Sequence, residues 1–257
     1  VFYAQNELPM FFETGQKEIS DLSDFPASDI TLQDSIDDFD EKISDNHFFT
    51  DAALFDSNGE IIKGTPGLTS GKLSDLEMNA LQNATRGAEL QIVTLPPNSN
   101  NNGVKFNFIK PIINSETQII GIVSGYTTLS NNRITAPLVS LLNKTNLEGG
   151  NWYILDTDYR VLHSSDEGSI FSYYQGEIID NSSYYLDRSI AGTGTYSFAH
   201  RIIGPNWIIL LNIPSDETRA VAMNIAWPIT TMLIVFLVIF LLFWRFNTVF
   251  RNRDFSK

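Results

Sequence analysis

The feature that most constrains this chain is an uncharged run of 20 residues, 225–244, near its C-terminal end. Thirteen of these residues are Ile, Leu, Val or Phe. As an α-helix the run extends about 30 Å, which is the thickness of the hydrocarbon core of a bilayer. A buried core helix is usually shorter and carries a polar stripe, so the run predicts one membrane-spanning helix.

The residues around this run indicate how the helix is oriented. Four basic residues and one acidic residue follow it, which predicts a cytoplasmic C-terminal side and an extracytoplasmic location for residues 1–224. Trp227 and Trp244 stand near the two membrane interfaces. Ser215 is a favourable helix start, and Pro228 predicts either a kink or a later start. The N-terminal part therefore has to report to the cytoplasm through this helix.

Charge and cysteine content exclude several classes of protein. Residues 1–244 carry 29 acidic and 13 basic residues, a net charge of −16 that repels phosphate backbones and argues against a nucleic-acid partner. The acidic surface favours solubility first and a cationic ligand second. The chain has no cysteine, which excludes disulfides and zinc–thiolate chemistry. Because the chain begins at Val1 without an initiator Met, we expect it to be a fragment of a longer protein.

A strand pattern appears first in residues 51–129. Two apolar runs in 51–63 flank the turn Asp56-Ser-Asn-Gly59, which predicts a β-hairpin because Asn and Gly accept the positive φ of a tight turn. Residues 105–113 and 119–129 then predict a pair of antiparallel strands.

The same plan repeats about 100 residues later. Residues 152–163 predict a second hairpin with Asp156 placed like Asp56, although Tyr159 stands where the first turn has Gly. Residues 194–214 match the earlier strand pair. Two copies of one plan, each with antiparallel strands and helices to one side, predict an α+β protein.

Helical spacing connects the strands. Apolar residues recur every three or four positions in 31–44 and 132–147, and a further helix over 73–86 is predicted to begin near Ser74. Residues 1–28 are interpreted as the tail of a helix that rises from an earlier membrane span, and 95–103 as a loop.

At this level the chain resembles a double Cache (dCache) sensor domain of a bacterial or archaeal transmembrane signalling receptor. The matching segments, within about residues 30–220, are ALFDSNGEII, PIINSETQIIGIVSG, NWYILDTDYRVLHSSDEGSI and GTYSFAHRIIGPNWIILLNIP. The resemblance implies two tandem PAS-like (Cache) modules with long linking helices and a C-terminal transmembrane helix. It implies a homodimer, a small-molecule ligand, an earlier membrane helix and a cytoplasmic output such as a histidine kinase or a chemotaxis transducer.

The resemblance also implies a division of the chain. The predicted parts are an N-terminal helical segment (1–44), a membrane-distal module (45–131), a linking helix (132–148), a membrane-proximal module (149–214), the transmembrane helix (215–245) and a cytoplasmic tail (246–257).

Ligands of this family usually lie in the distal module, between its sheet and the variable helix-loop segment. Amino-acid-binding members carry an Arg-x-Trp-Tyr-like cluster there and an Asp on the last distal strand. This chain has no Trp in that module and has Tyr126 near the Asp position, so an α-amino acid is disfavoured. The predicted ligand-binding residues are Arg86, Phe106, Phe108, Lys110 and Tyr126. The alternative is that these aromatic residues form core and the bases are solvated.

Catalysis and metal binding are not predicted for this part of the protein. The three histidines, His47, His163 and His200, lack metal-ligand spacing, and no nucleophile elbow or phosphate-binding loop is present in the sequence. The acidic turn residues at 56–58 and 156–158 lack the further acids of a calcium loop. We therefore expect no cofactor and no enzyme here. The alternatives to a sensor are a membrane-anchored dimerisation or protein-interaction module and, less favoured, an anchored hydrolase.

Overall fold

Two five-stranded antiparallel sheets with the same strand order form the framework of the fold. Each sheet consists of five consecutive strands of the chain, arranged in the order second, first, fifth, fourth, third. The predicted α+β fold with two tandem modules is therefore confirmed. The computed structural model describes residues 2–25, 30–31, 33–66, 68, 73–97, 103–144, 150–179, 184–187 and 194–254.

The N-terminal module, called the distal module, begins with two helices and continues into the first sheet. Its elements are α1 (Phe2–Ser23), α2 (Gln33–Asp45), β1 (Asp51–Asp56), β2 (Ile61–Gly64), α3 (Asp75–Thr85), β3 (Gln91–Leu95), β4 (Lys105–Ile113) and β5 (Ile119–Thr128). The helices predicted over 31–44 and 73–86 are thus present as α2 and α3. Strand β3 was not predicted, and residues 98–102 of the predicted loop lie outside the described residues.

The C-terminal module, called the proximal module, repeats the sheet and ends in a long helix. Its elements are α4 (Ala136–Lys144), β6 (Asn151–Leu155), β7 (Val161–Ser164), β8 (Tyr184–Asp187), β9 (Thr195–Arg201), β10 (Ile208–Pro214) and α5 (Ser215–Asp254). The linking helix α4 begins at Ala136, four residues later than predicted, and residues 145–148 of the prediction lie outside the described chain. Helix α1, with 22 residues, is longer than each of α2, α3 and α4 as the structure describes them.

The hairpin turns of the two modules have the same geometry. In each turn the carboxylate of the first Asp, Asp56 or Asp156, accepts from the backbone N–H groups two and four residues later, at 2.9 and 2.8 Å. The fourth residue has a positive φ in both turns, 85° for Gly59 and 63° for Tyr159. The second hairpin therefore forms without the glycine that its sequence lacks, because the Asp side chain caps the turn.

Helix α1 joins the two modules into one core. Phe11 packs edge-on against Phe106 and Phe108 of β4, with ring centroids 5.5 and 6.0 Å apart. Phe12 contacts the ring of Trp207, just before β10, at 4.9 Å. Buried residues of both sheets therefore belong to the same hydrophobic cluster.

The two faces of the distal sheet have different covers. Leu54, Phe106 and Val123 point to the cluster that contains α1, and this side is called the α1 face. The residues that alternate with them, such as Ile109 and Ile122, pack with α3, and this side is called the α3 face. Because side chains alternate along a strand, the parity of a position decides which helix it meets.

Helix α5 starts at Ser215, directly after β10, and continues through Pro228 to Asp254. Its segment Thr218–Arg245 has 28 residues, and an 18-residue stretch within it has a mean hydropathy of 2.6 and no buried residues. Within the described part of the chain, α5 is the one helix that is long and apolar enough to cross a membrane. Helix α5 therefore starts where Ser215 predicted and not at Pro228.

Candidate ligand-binding site

The candidate site is built around the first turn of α3. Ser74 is the N-cap residue, and its side chain and backbone exchange hydrogen bonds with Glu77 in a capping box. Glu77 also lies on the buried stripe of the helix, formed by Ala80, Leu81 and Ala84. The helix therefore brings a carboxylate to the apolar surface that packs on the sheet, where Glu77 is 7% exposed.

Four side chains from α3, β4 and β5 form one buried group, called the polar cluster: Glu77, Asn107, Ser124 and Tyr126. The Tyr126 hydroxyl donates to Glu77 Oε1 at 2.9 Å, and Asn107 Nδ2 donates to the same oxygen at 3.4 Å. Ser124 Oγ donates to Asn107 Oδ1 at 2.7 Å. The second carboxylate oxygen, Oε2, accepts from Ser74 N and Oγ at 2.8 and 2.7 Å.

The electrostatics of the polar cluster follow from its burial. Burial raises the pKa of the Tyr126 phenol far above its ordinary value, and the negative charge of Glu77 raises that pKa further. Tyr126 is therefore a hydrogen-bond donor at every physiological pH. A buried carboxylate is tolerated here because four donors surround it, and each hydrogen bond to a charged group is worth about 1.5–3 kcal/mol.

The polar cluster continues to the edge of the sheet. Asp51, Tyr126 and Asn107 are cross-strand partners in one row over β1, β5 and β4. Asp51 accepts from Thr65 Oγ1 at 3.0 Å and lies 3.9 Å from Lys105 Nζ. The α3 face therefore presents hydroxyl and amide donors, carboxylates and one ammonium group, which together suit a small polar molecule.

No protein-family model and no curated protein matches the chain, whereas solved structures do. The ligand-binding domain of the Pseudomonas aeruginosa amino acid chemoreceptor PctB with L-Arg has a TM-score of 0.61 at 14% identity, over 86% of this chain and 87% of that chain. For the PctC domain of the same organism with GABA the values are 0.60, 13%, 82% and 95%. For the Mlp24 domain with asparagine they are 0.58, 12%, 84% and 87%.

The chain has the double Cache fold. The resemblance inferred from four short segments is thereby confirmed at the level of fold.

The double Cache fold separates the predicted site residues onto different surfaces. Tyr126 lies in the polar cluster on the α3 face. Phe106 and Phe108 are fully buried on the α1 face, and Lys110 Nζ donates there to Ser20 Oγ of α1 at 2.8 Å. Arg86 is the exposed C-cap residue of α3. The structure therefore does not bring the five residues together, and a role of each in binding stays a prediction.

Three members of the polar cluster, Glu77, Asn107 and Ser124, were not predicted from the sequence. A signal for Glu77 was present, because Ser74-x-x-Glu77 is a capping-box pattern and Glu77 falls on the apolar stripe of α3. Asn107 and Ser124 share the parity of the α3 face, and Asn107 directly opposes Tyr126. Among the residues that the structure describes, no three His, Asp or Glu side chains come together as a metal site.

Proposed function

We propose that this chain is the extracytoplasmic ligand-sensing part of a transmembrane signal-transduction receptor. A small solute binds on the α3 face of the distal sheet, and the response passes through β10 and α5. The observation that carries the proposal is the buried polar cluster. Burying several hydrogen-bonding groups on a hydrophobic sheet face has a high free-energy cost, which favours a binding role for them.

The fold supports this proposal. The similar structures are ligand-binding domains of chemoreceptors, solved with L-Arg, GABA or asparagine. In this chain the first Trp is Trp152, so an aromatic cluster that contains Trp is missing from the distal module. Glu77 brings a carboxylate beside Tyr126 from the helix instead of from a strand. We therefore expect a small polar solute that differs from the ligands of these relatives.

The signalling route follows the covalent connection. Pro214 ends β10 and Ser215 begins α5, so a shift of the proximal sheet moves the helix without an intervening loop. The basic residues that follow Trp244 support a cytoplasmic C-terminal side. A homodimer and an output domain such as a histidine kinase or a chemoreceptor module complete the proposal. A ligand shifts this system only if it binds one of its states more tightly than the other.

The test is a thermal-shift screen of the full chain in maltoside micelles against amines, organic acids, amino acids and sugars. A hit is then titrated by calorimetry against Tyr126→Phe and against Tyr174→Phe, a control at a half-buried, hydrogen-bonded tyrosine of the proximal module. Loss of one hydrogen bond to the ligand should weaken binding about three- to tenfold in Tyr126→Phe only. Silence across the screen, or equal weakening in both variants, would refute binding at the polar cluster.

A second candidate function is a membrane-anchored dimerisation or protein-interaction module without a small-molecule ligand. The observation that favours it is Glu77, whose two carboxylate oxygens are already hydrogen-bonded within the chain. This alternative predicts a stable dimer in micelles together with a silent screen. Because both candidates include a dimer, the screen separates them, and analytical ultracentrifugation of the same sample tests the dimer that this alternative requires.

A further inference from the structure

A cleft lies between the two modules, on the side of the distal sheet opposite to the polar cluster. It has a volume of about 450 Å³ and is lined from α1, from the distal strands β3 and β4, and from two turns of the proximal module. This volume is in the range of sites for small molecules, about 300–1,000 Å³. The residues that decide its chemistry are Phe12, Glu13, Phe106, Asp156 and Trp207.

The lining combines aromatic rings with carboxylates. Trp207 packs against Phe12 and Phe106, with ring centroids at 4.9 and 5.4 Å, so an aromatic cluster forms one wall of the cleft. Phe12 is the half-buried ring of this wall, whereas Trp207 is 6% exposed and Phe106 is fully buried. Glu13 reaches it from α1 and Asp156 from the β6–β7 turn. The described residues that line the cleft include no Lys, Arg or His. Aromatic faces and carboxylates both attract cations, and they do so most strongly where water is partly excluded.

The two carboxylates are available to a ligand. Both hydrogen bonds that Asp156 accepts within its turn go to Oδ1. In the part of the chain that the structure describes, neither Glu13 nor Asp156 forms a salt bridge. The negative charge of the chain, −13, adds a long-range attraction for cations.

We propose that this cleft between the modules binds a small organic cation, either an amine or a quaternary ammonium compound. The cation lies against Phe12, the half-buried ring of the aromatic wall, and its charge is balanced by Glu13 and Asp156. Because these two acids belong to different modules, the bound cation stabilises the arrangement in which both modules face it. The site is separate from the polar cluster, so it is occupied independently of the solute proposed above.

The probes are choline and its uncharged carbon isostere 3,3-dimethylbutan-1-ol. Each is added at up to about 10 mM, with sodium chloride matching the ionic strength, to the full chain in maltoside micelles, whose headgroups carry no ammonium group. Binding is measured by calorimetry and by the shift in melting temperature. We expect choline to bind and to raise the melting temperature, and the alcohol to do neither.

The chain provides a matched pair of variants for this test. Asp156→Asn and Asp56→Asn remove the same charge from equivalent turns, but only Asp156 lines the cleft. An Asn keeps the turn, because Asn114 already makes the same two bonds in the β4–β5 turn, at 3.0 and 2.9 Å. Asp156→Asn should weaken choline binding about three- to fivefold, whereas Asp56→Asn should leave it unchanged.

A second pair of variants, both in α1, tests Glu13, the other carboxylate of the cleft. Glu13→Gln should weaken choline binding by a similar factor, and Glu7→Gln, which lies outside the cleft, should have no effect. Tyr126→Phe should also have no effect, which separates this site from the polar cluster. The proposal is overturned if choline does not bind, if the neutral alcohol binds equally well, or if Asp56→Asn is as harmful as Asp156→Asn.

Discussion

The two modules have the same strand order, yet they satisfy buried polar groups in different ways. In the distal module α3 places a charged carboxylate on the sheet, and every member of the polar cluster has a hydrogen-bond partner. In the proximal module the segment 174–179 covers the equivalent face, and the buried carboxylate there, Asp187, comes from the edge strand β8 and accepts from Glu177 N at 3.0 Å. There Ser197 Oγ and Asn212 Oδ1 are buried without a partner among the described residues.

This difference shows that topology alone does not determine a binding surface. Asn212 Nδ2 donates to the hydroxyl of the half-buried Tyr174 at 2.8 Å, so a tyrosine hydroxyl bonds to the polar groups of the sheet in both modules. Only the distal tyrosine bonds to a charge. A buried charge requires a complete set of donors, whereas a neutral group tolerates an unpaired atom at a cost of about 1–3 kcal/mol. We therefore expect substitutions at the polar cluster to lower the free energy of unfolding more than substitutions on the equivalent proximal face.

The largest test of this comparison is Glu77→Ala. The substitution leaves the Tyr126 hydroxyl and Asn107 amide without their acceptor and removes half of the capping box. The free energy of unfolding of the full chain in micelles should fall by about 2–4 kcal/mol, measured by urea denaturation with Trp fluorescence. Asp75→Ala, at an exposed acid in the same first turn, should cost less than about 1 kcal/mol. Equal losses would show that Glu77 acts only as a helix-end charge.

A smaller effect compares the two tyrosines directly. Tyr126→Phe removes a hydrogen bond to a charged group and should lower the free energy of unfolding by about 1.5–3 kcal/mol. Tyr174→Phe removes a bond to a neutral amide and should lower it by about 0.5–1.5 kcal/mol. The same denaturation experiment gives both values. The comparison breaks if the proximal variant loses as much as the distal one.

At alkaline pH we expect the proximal module to contribute more than the distal module to the loss of stability, because more of its phenols have raised pKa values. Burial raises the pKa of Tyr126 in the distal module and the pKa values of Tyr153 and Tyr174 in the proximal module. Such phenols keep their protons in the folded state when the unfolded chain has lost them. Their contribution to stability is therefore complete below the ordinary pKa of about 10 and is lost as the pH rises beyond it.

The variants Tyr153→Phe/Tyr174→Phe and Tyr126→Phe test this expectation. Between about pH 8 and about pH 11, the urea midpoint of the double variant should depend less on pH than that of Tyr126→Phe, which in turn should depend less on pH than the wild type. Wild-type slopes in all three proteins would contradict the assignment of raised pKa values.

The smallest effect concerns the two hairpin turns. Tyr159 adopts a φ of 63°, a region that disfavours side chains, so Tyr159→Gly should raise the free energy of unfolding by about 0.5–1 kcal/mol. Gly59→Ala should lower it by about 1 kcal/mol through strain alone, because no atom lies within 4 Å of the added methyl group. Calorimetric melting of both variants checks the pair. Changes of the same sign would show that the turns are not equivalent.

Local patterns in the sequence determined the duplicated fold and the spanning helix. An uncharged run such as 225–244 has a length set by the bilayer and needs no partner to be recognised. The N-cap residue Ser74 and the turn residues Asp56 and Asp156 form their hydrogen bonds with residues fewer than five positions away. Their geometry can therefore be predicted from the local sequence. The short strands β3 and β8 escaped prediction because edge strands of four or five residues carry little periodicity.

Only the tertiary structure decided where the candidate sites lie. Glu77 contacts Tyr126, which lies 49 positions later in the chain, and Phe12 near the N-terminus contacts Trp207, just before β10. The predicted site combined residues from two faces of one sheet, because Phe106, Phe108 and Lys110 lie on the α1 face whereas Tyr126 lies on the α3 face. Which face a position joins depends on strand register and on the helix that covers each side, and both are set by contacts between distant segments. For that reason neither the polar cluster nor the cleft between the modules is readable from spacing alone.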